Sequence, residues 1–179
     1  MELYFLRSTE QKIASDMLHF AYRLDALQRS VEDFPALKIY TNEYGATHKD
    51  MGIYALKEHK IAGAAWIRLL GEEANAFVDE KTPILTIALK PEFRGRSIGS
   101  AMLEQLLLEA GTMYEQISVS VLKNSRAVKF YEKFGFMALE NSDSKSPMDG
   151  SEVFTMLKKL HIKEVVRPSD GYDPRRWMD

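Results

Sequence analysis

The chain has 179 residues, 45% hydrophobic and 28% charged, a soluble composition with enough length for one full core. Lys plus Arg number 24 against 26 Asp plus Glu, and that balance, -2 overall, gives no global pull toward nucleic acid. The absence of cysteine excludes disulfides, thiolate catalysis and cysteine metal ligands.

Glu2–Arg7 reads as a first strand, and Ser8 or Thr9 is placed to cap the helix after it. Ile13, Met17, Phe20, Ala21 and Leu24 give that helix an apolar stripe. The acidic stretch Asp25–Asn42, broken by Pro35, predicts a short second helix and a loop through Gly45. Gly52–Lys57 and Lys60–Leu70 are strand-like runs separated by Glu58-His59, a hairpin signal; Glu-His is a weak turn pair, which leaves a longer turn open as well. Glu72–Thr82 has no clear form. Pro83 opens a strand over Ile84–Leu89, a position where proline is tolerated.

After that strand comes Arg94-Gly95-Arg96-Ser97-Ile98-Gly99-Ser100, then a helix that turns Ile98, Met102, Leu103, Leu106, Leu107 and Ala110 inward and stops at Gly111. A strand, a basic turn and a helix start make an anion cradle. The first amides of a helix lack internal partners and carry the positive end of its dipole, so a phosphate sits well there. Arginine adds charge-assisted hydrogen bonds. A tight connection without a ligand is the other reading of the turn. A dinucleotide-binding loop needs a third glycine and an earlier strand, and this turn has only Gly95 and Gly99.

Gln116–Leu122 alternates apolar and polar as a half-buried strand does. Asn124 or Ser125 can cap a helix over Arg126–Phe134 that Gly135 ends. A strand is predicted at Phe136–Leu139, a loop at Asn141–Ser151 and a last strand at Glu152–Leu157. The order predicts an α/β fold: a mixed sheet with helices on both faces. One domain is expected over residues 1–160, with a charged, weakly packed tail over 161–179.

MELYFLRSTEQK lacks the apolar core of a signal peptide, and no run approaches the ~20 apolar residues that cross a bilayer. A cytoplasmic protein without a membrane or nucleic-acid partner is expected. His19, His48, His59 and His161 are scattered without ligand spacing, so no metal is expected. No grouping suggests a Ser–His–Asp hydrolase.

Two motifs resemble one family. Arg94-Gly95-Arg96-Ser97-Ile98-Gly99 is similar to the Arg/Gln-x-x-Gly-x-Gly/Ala pyrophosphate loop of the GCN5-related N-acetyltransferases. Asn124 through Phe136, NSRAVKFYEKFGF, is similar to their Asn-x-x-Ala-x-x-x-Tyr-x-x-x-Gly-Phe signature. The resemblance covers roughly Pro83–Leu139. It implies a mostly antiparallel sheet with one splayed parallel pair, acetyl-coenzyme A as co-substrate, and acetyl transfer to an amine. Backbone groups of Ile87, Ala88 and Leu89 would meet the pantetheine, with an amide near Ile87 or Ala88 facing the thioester oxygen. Arg94, Gly95, Arg96, Ser97, Ile98, Gly99 and Ser100 would hold the diphosphate. Ser97 replaces the family's usual glycine; serine adopts helical angles freely, and the cradle is expected to survive.

The resemblance makes Tyr131 the general acid that protonates the departing thiolate. Its position in the Ala127–Tyr131–Phe134 stripe also fits simple core packing. Asn124 is implied as a pantetheine ligand or a helix cap, and Ala127 as room for the cofactor arm or a helix former. Many family members carry a glutamate base on the strand before the loop. ILTIALK has none, Asp79 and Glu80 precede it as a candidate base or a surface turn, and Thr86 could hold a water; no base is assigned. Asp25, Glu32 and Asp33 could attract a cationic amine or form a solvated face, and Tyr40, Tyr44, Trp66 and Arg68 are further acceptor-side candidates. The acceptor implied is a small molecule, a protein N-terminus or a lysine. A coenzyme A-binding sensor without catalysis and transfer of a longer acyl group are the alternatives, and a homodimer exchanging the last strand and tail is open.

Overall fold

The computed structural model describes residues 1–161. The predicted tail therefore lies outside the described residues from 162 onward. In chain order the strands are β1 (Glu2–Phe5), β2 (Met51–Lys57), β3 (Lys60–Arg68), β4 (Ile84–Leu89), β5 (Gln116–Leu122), β6 (Met137–Ala138), β7 (Ser144–Lys145) and β8 (Glu152–Lys159). The α-helices are α1 (Gln11–Ala21), α2 (Leu24–Leu27), α3 (Ile98–Ala110) and α4 (Arg126–Lys133).

Alternation along β2 and β3 sends Ile53, Ala55, Ala65 and Ile67 to one face and Tyr54, Ala64 and Trp66 to the other. Both faces are apolar, so both need a cover. Helix α3 covers the first, burying Ile98, Met102, Leu103, Leu106 and Ala110 against it. Helix α1 covers the second with Ala14, Met17 and Leu18. The expected α1 stripe is thus rotated: Ile13, Phe20 and Ala21 flank the buried line, and Leu24 is buried one turn later, in α2. Each fully buried side chain of the Leu, Ile or Met size contributes about 1.5–3 kcal/mol to the folded state.

The sheet order is β1-β2-β3-β4-β5-β8-β6, with β7 also on β8, and every pairing is antiparallel except β4 with β5. This is the mixed sheet that the element order implied.

The β2–β3 hairpin turns at Glu58-His59 as read, both with positive φ (53° and 63°), because the twist of the paired strands selects this left-handed turn. Three local expectations are corrected. Ser8 and Thr9 make no side-chain cap; Ser8–Glu10 is a 3-10 turn in which the Glu10 carboxylate accepts from the Arg7 amide at 2.9 Å. The strand expected at Phe136–Leu139 shrinks to Met137–Ala138, and the loop at Asn141–Ser151 contains β7. Both short strands borrow order from β8, which offers a long edge to pair with.

Candidate active site

The site begins where the parallel pair stops. Strands β4 and β5 are in register only at Ile84 with Ser118 and Leu85 with Val119. Beyond Leu85 they part, while β4 stays paired to β3 through Leu89 and β5 stays paired to β8 through Leu122. The Lys90 amide donates to Ala62 O on β3, whereas Pro83 O accepts from Ser118 on β5. Since successive residues of a strand point their backbone groups to alternate sides, Ile87 and Leu89 present N–H and C=O to the opening. Ala88, expected as a possible amide donor there, turns its backbone groups to β3 instead. Its methyl lies on the α1 face with Thr86, and both are buried.

At the mouth of the opening, β4 runs through a 3-10 turn, Pro91–Phe93, into α3. Gly95 has φ +76° with nothing within 4 Å of a would-be Cβ, so backbone conformation rather than space calls for glycine. Gly99 is the converse case: a Cβ there would stand 3.3 Å from Leu89 Cδ1, so glycine lets α3 sit close against the end of β4. Ser97, expected to take helical angles, is left-handed (φ +61°, ψ 13°) at the N-cap of α3 and makes no side-chain cap. The bend that turns the chain into α3 has this geometry, and serine occupies it at a cost that glycine avoids.

Ala101 is the first α3 residue to donate within the turn, to Ser97 O at 3.1 Å. The amides of Ile98, Gly99 and Ser100 therefore lack helical partners. The side chains of Arg94 and Arg96 are exposed, neither is in an ion pair among the described residues, and the Arg96 guanidinium stands 6.0 Å from the Phe93 ring centre. Free amides and two free guanidinium groups at the end of a backbone-lined slot suit an extended ligand with a polyanionic head.

Helix α4 closes the α3 side. Tyr131 is buried, its ring 5.2 Å from that of Phe130 and 5.3 Å from that of Phe136. Burial pushes its hydroxyl well above the ordinary phenol range, so it keeps its proton through the physiological range. It makes no hydrogen bond within the described residues. Ala127 packs at the rim of the same cluster. The predicted helix cap is absent: Asn124 is exposed and left-handed (φ +60°), and the Ser125 hydroxyl donates back to Leu122 O at 2.7 Å. Asn124 can hold this conformation because its short polar side chain tolerates it.

The α1 side of the opening is assembled from distant loops. Several acceptor-side candidates serve the scaffold there. Trp66 Nε1 donates to Tyr40 O at 2.8 Å, Tyr44 OH to Leu6 O at 2.9 Å, and Arg68 to Ile39 O at 2.9 Å and Asp50 at 3.2 Å. Glu32 pairs with Lys38 at 2.9 Å and Asp33 with Arg29 at 3.3 Å. Asp25 differs: its Oδ1 is buried with no partner among the described residues. Asp79 accepts from the Lys81 amide and the Thr82 hydroxyl, each at 2.8 Å, bonds that hold its carboxyl below the usual aspartate range. That is a turn-forming role.

Tyr22 was not singled out by its sequence neighbourhood. It follows α1 as its C-cap and packs with Tyr40, ring centres 5.8 Å apart, on the cluster that includes Ala88. Burial, then the Tyr40 phenol, then the nearby Tyr131 push its hydroxyl well above the ordinary range. Only the position of Tyr22 at the end of an amphipathic helix could have flagged it.

A hollow of about 440 Å3 at the free edge of β1, lined by Tyr4, Arg7, Glu10, Tyr54 and Gln105 among others, includes none of the residues of the opening. Among the described residues, no three His, Asp or Glu side chains gather as metal ligands, and no helix is long and apolar enough to cross a membrane.

The mixed sheet that parts between β4 and β5, with unpaired helix amides at the mouth of the opening, can be set beside known proteins. The family described as "Acetyltransferase (GNAT) domain" matches residues 49–138, half of the chain, so the chain belongs to the GNAT acetyltransferase family. No curated protein sequence matches it. Among solved structures, it is similar to yncA, a putative acetyltransferase from Salmonella typhimurium with its cofactor acetyl-CoA, with TM-score 0.66 and 14% identity over 95% of this chain and 98% of that one. It is also similar to the ribosomal-protein-S18-alanine N-acetyltransferase of Escherichia coli (TM-score 0.60, 15% identity, 93% and 98% covered). A third is a phosphinothricin acetyltransferase of Sinorhizobium meliloti in complex with AcCoA (TM-score 0.62, 17% identity, 97% and 95% covered). At such identities the likeness concerns the fold.

Proposed function

We propose that the protein is an N-acetyltransferase that moves the acetyl group of acetyl-coenzyme A directly to an amine. The observation that carries this is the opening of β4 from β5 after Leu85, with the unpaired amides of α3 at its mouth; the buried Tyr131 of α4, the helix that follows β5, supports it. In this reading the Ile98, Gly99 and Ser100 amides with Arg94 and Arg96 hold the diphosphate, and Gly95 and Ser97 set the turn. Ile87 and Leu89 pair with the pantetheine like an added strand, while Ala127 leaves room for it and the exposed Asn124 side chain reaches its amide.

The Ile87 N–H is the backbone donor for the thioester oxygen as charge develops on it. Ala88 contributes its methyl to the wall and not its amide. The amine nitrogen forms a bond to the acetyl carbon as the carbon–sulfur bond breaks. Tyr131 gives its proton to the departing sulfur and is reprotonated by the proton that the nitrogen loses. Holding both reactants together supplies a large part of the acceleration. With no cysteine in the chain, no acyl-thiol intermediate on the protein is invoked.

Titration calorimetry with acetyl-coenzyme A and with free coenzyme A tests the binding half, and thiol release on adding amines tests the transfer half. The absence of cysteine keeps a thiol-reactive dye free of protein background. Micromolar or tighter binding with amine-dependent thiol release is expected. No uptake of either form overturns the proposal, and uptake without thiol release from any amine favours a coenzyme A sensor.

A further inference from the structure

The outer edge of β1 lies away from the β4–β5 opening, with β2 and β3 between it and β4. Its pairing with β2 fixes which backbone groups remain free. The Leu6 amide donates to Gly52 O at 2.8 Å, so Glu2 and Tyr4, in step with Leu6, also turn their N–H and C=O to β2. Leu3 and Phe5 turn theirs outward, and nothing among the described residues bonds those four groups. Arg7 ends the row, since its amide donates to the Glu10 carboxylate at 2.9 Å and its carbonyl accepts from the Glu10 amide at 3.0 Å. A row of free donors and acceptors is a template for another strand.

Proteins blunt such edges, and here only one edge is blunted. The far edge of the sheet consists of β6 and β7, two residues each and too short to extend a ladder. β1 has four residues, without proline or lysine, and its one charged side chain, Glu2, accepts from the Tyr4 hydroxyl. Met1, Tyr4 and Phe5 are exposed. On one face Tyr4 stacks on Tyr54, ring centres 5.5 Å apart. On the other, Leu3 packs on the core cluster that includes Ile53. The hollow at this edge is lined from both faces, by Tyr54 and by Ile53 with Gln105.

We propose that β1 is the interface of a homodimer: two copies pair their β1 strands antiparallel about a twofold axis beside Tyr4 and join their sheets into one. In this register Leu3 of each copy faces Phe5 of the other, and both pairs exchange N–H···O=C bonds, so the four free groups of each strand are used. Tyr4 faces Tyr4 of the copy at the non-hydrogen-bonded position, where side chains stand closest. That extends the Tyr54–Tyr4 stack into a row of four rings. Phe5 of the copy comes to lie beside Leu3, at the hollow. The charges favour the same direction. Glu2 lies at one end of the stretch and Arg7 at the other, neither in an ion pair among the described residues. Antiparallel pairing brings acidic end to basic end, whereas parallel pairing brings like to like. A patch that complements itself is what a twofold assembly requires, and this makes a second copy the occupant.

Light scattering on the full chain at rising concentration tests the assembly. The mass should move from 20.5 kDa toward twice that value between about 1 and 200 µM, the range of a small reversible interface. Phe5→Lys places a charge on the edge and should raise the dimer Kd at least about tenfold. Its circular dichroism spectrum should not change, because Phe5 is exposed. The absence of cysteine lets single substitutions report the register without background. Tyr4→Cys should form a disulfide-linked dimer under mild oxidation, since the pair facing across the axis has Cα atoms about 4.5 Å apart. Phe5→Cys, which faces Leu3 of the copy and lies two residues out of step with its own equivalent, should link at least about tenfold more slowly. A mass of one chain at every concentration overturns the inference, whether the edge stays bare, takes an extended peptide or is covered by residues 162–179. A dimer that Phe5→Lys leaves intact, or that Tyr4→Cys does not link, puts the interface on another surface and overturns it. Equal linking rates in the two cysteine variants reduce the link to random collision and overturn it too. None of these readouts involves the acetyl carrier, so failure here leaves the proposed function standing.

Discussion

The two sides of the β4–β5 opening are built in opposite ways. The side that the proposed function gives to the carrier is local: β4, the basic turn, α3, β5 and α4 follow one another in the chain. The side that the proposal gives to the acceptor is gathered from three remote stretches, α1 through residue 50, the connection at 71–82 and the excursion around β7, held by hydrogen bonds from Trp66, Arg68, Ser118 and Asn75. A fixed ligand can be met by a contiguous motif, because its geometry never changes. A variable partner is met by loops that can change without disturbing the sheet.

This contrast predicts that damage to the acceptor-side scaffold lowers stability, while damage to the carrier side lowers binding or turnover. The largest effect is expected at Asp50, whose carboxylate receives Arg68 at 3.2 Å and the Gly45 amide at 2.9 Å, with only 8% of its side chain exposed. Asp50→Ala leaves Arg68 buried without its partner, and chemical denaturation should show a loss of about 3–5 kcal/mol. A loss below about 1 kcal/mol would place the anchor of this side elsewhere.

Next comes Tyr131→Phe, which keeps the aromatic packing and removes the proton donor. Turnover should fall about 100-fold or more, roughly 2.7 kcal/mol of barrier, with melting temperature and carrier affinity nearly unchanged. The sign of the pH dependence follows from burial, which raises the phenol. It stays protonated below its folded pKa, so the deficit should be constant between about pH 6 and pH 9. A deficit that vanishes within that window would point to a different donor.

A smaller effect is expected on the carrier head group. Arg96→Ala removes one exposed guanidinium, and calorimetry should show about tenfold weaker binding, roughly 1.4 kcal/mol, with a shallower dependence on salt. Unchanged affinity would leave the diphosphate to the amides and Arg94. The smallest change has the opposite sign. Ser97→Gly relieves a left-handed residue at φ +61° and should raise stability by up to about 1 kcal/mol with carrier affinity equal or better. A destabilised variant would mean that the serine hydroxyl has a role in the turn.

Much of the carrier side was legible in the sequence. The bounds of β4, α3 and β5 follow from an apolar run, a helical stripe ended by Gly111 and a strict alternation, each a local pattern with a local cause. Left-handed Ser97 was not legible, since serine has no left-handed preference and only the path from β4 into α3 imposes that angle. Nor was the turning away of the Ala88 amide, because β-strand sequence does not say which neighbour each backbone group faces.

The acceptor side was legible only as an inventory. Asp25, Glu32 and Asp33 look alike in the chain, yet two have cationic partners and one keeps a buried, unbonded oxygen. Tyr40, Tyr44, Trp66 and Arg68 were equal candidates, and tertiary hydrogen bonds made the last three structural. Tyr22 became visible only when α1 packed across β4 and brought it to Tyr40. The sequence by itself determined the sheet, the strand–turn–helix path from β4 into α3 and the family, because these arise from periodicity and from turn chemistry within a few residues. Only the tertiary structure decided which aromatic rings pack together and which charges are already paired, because those depend on contacts between segments that chain order leaves far apart.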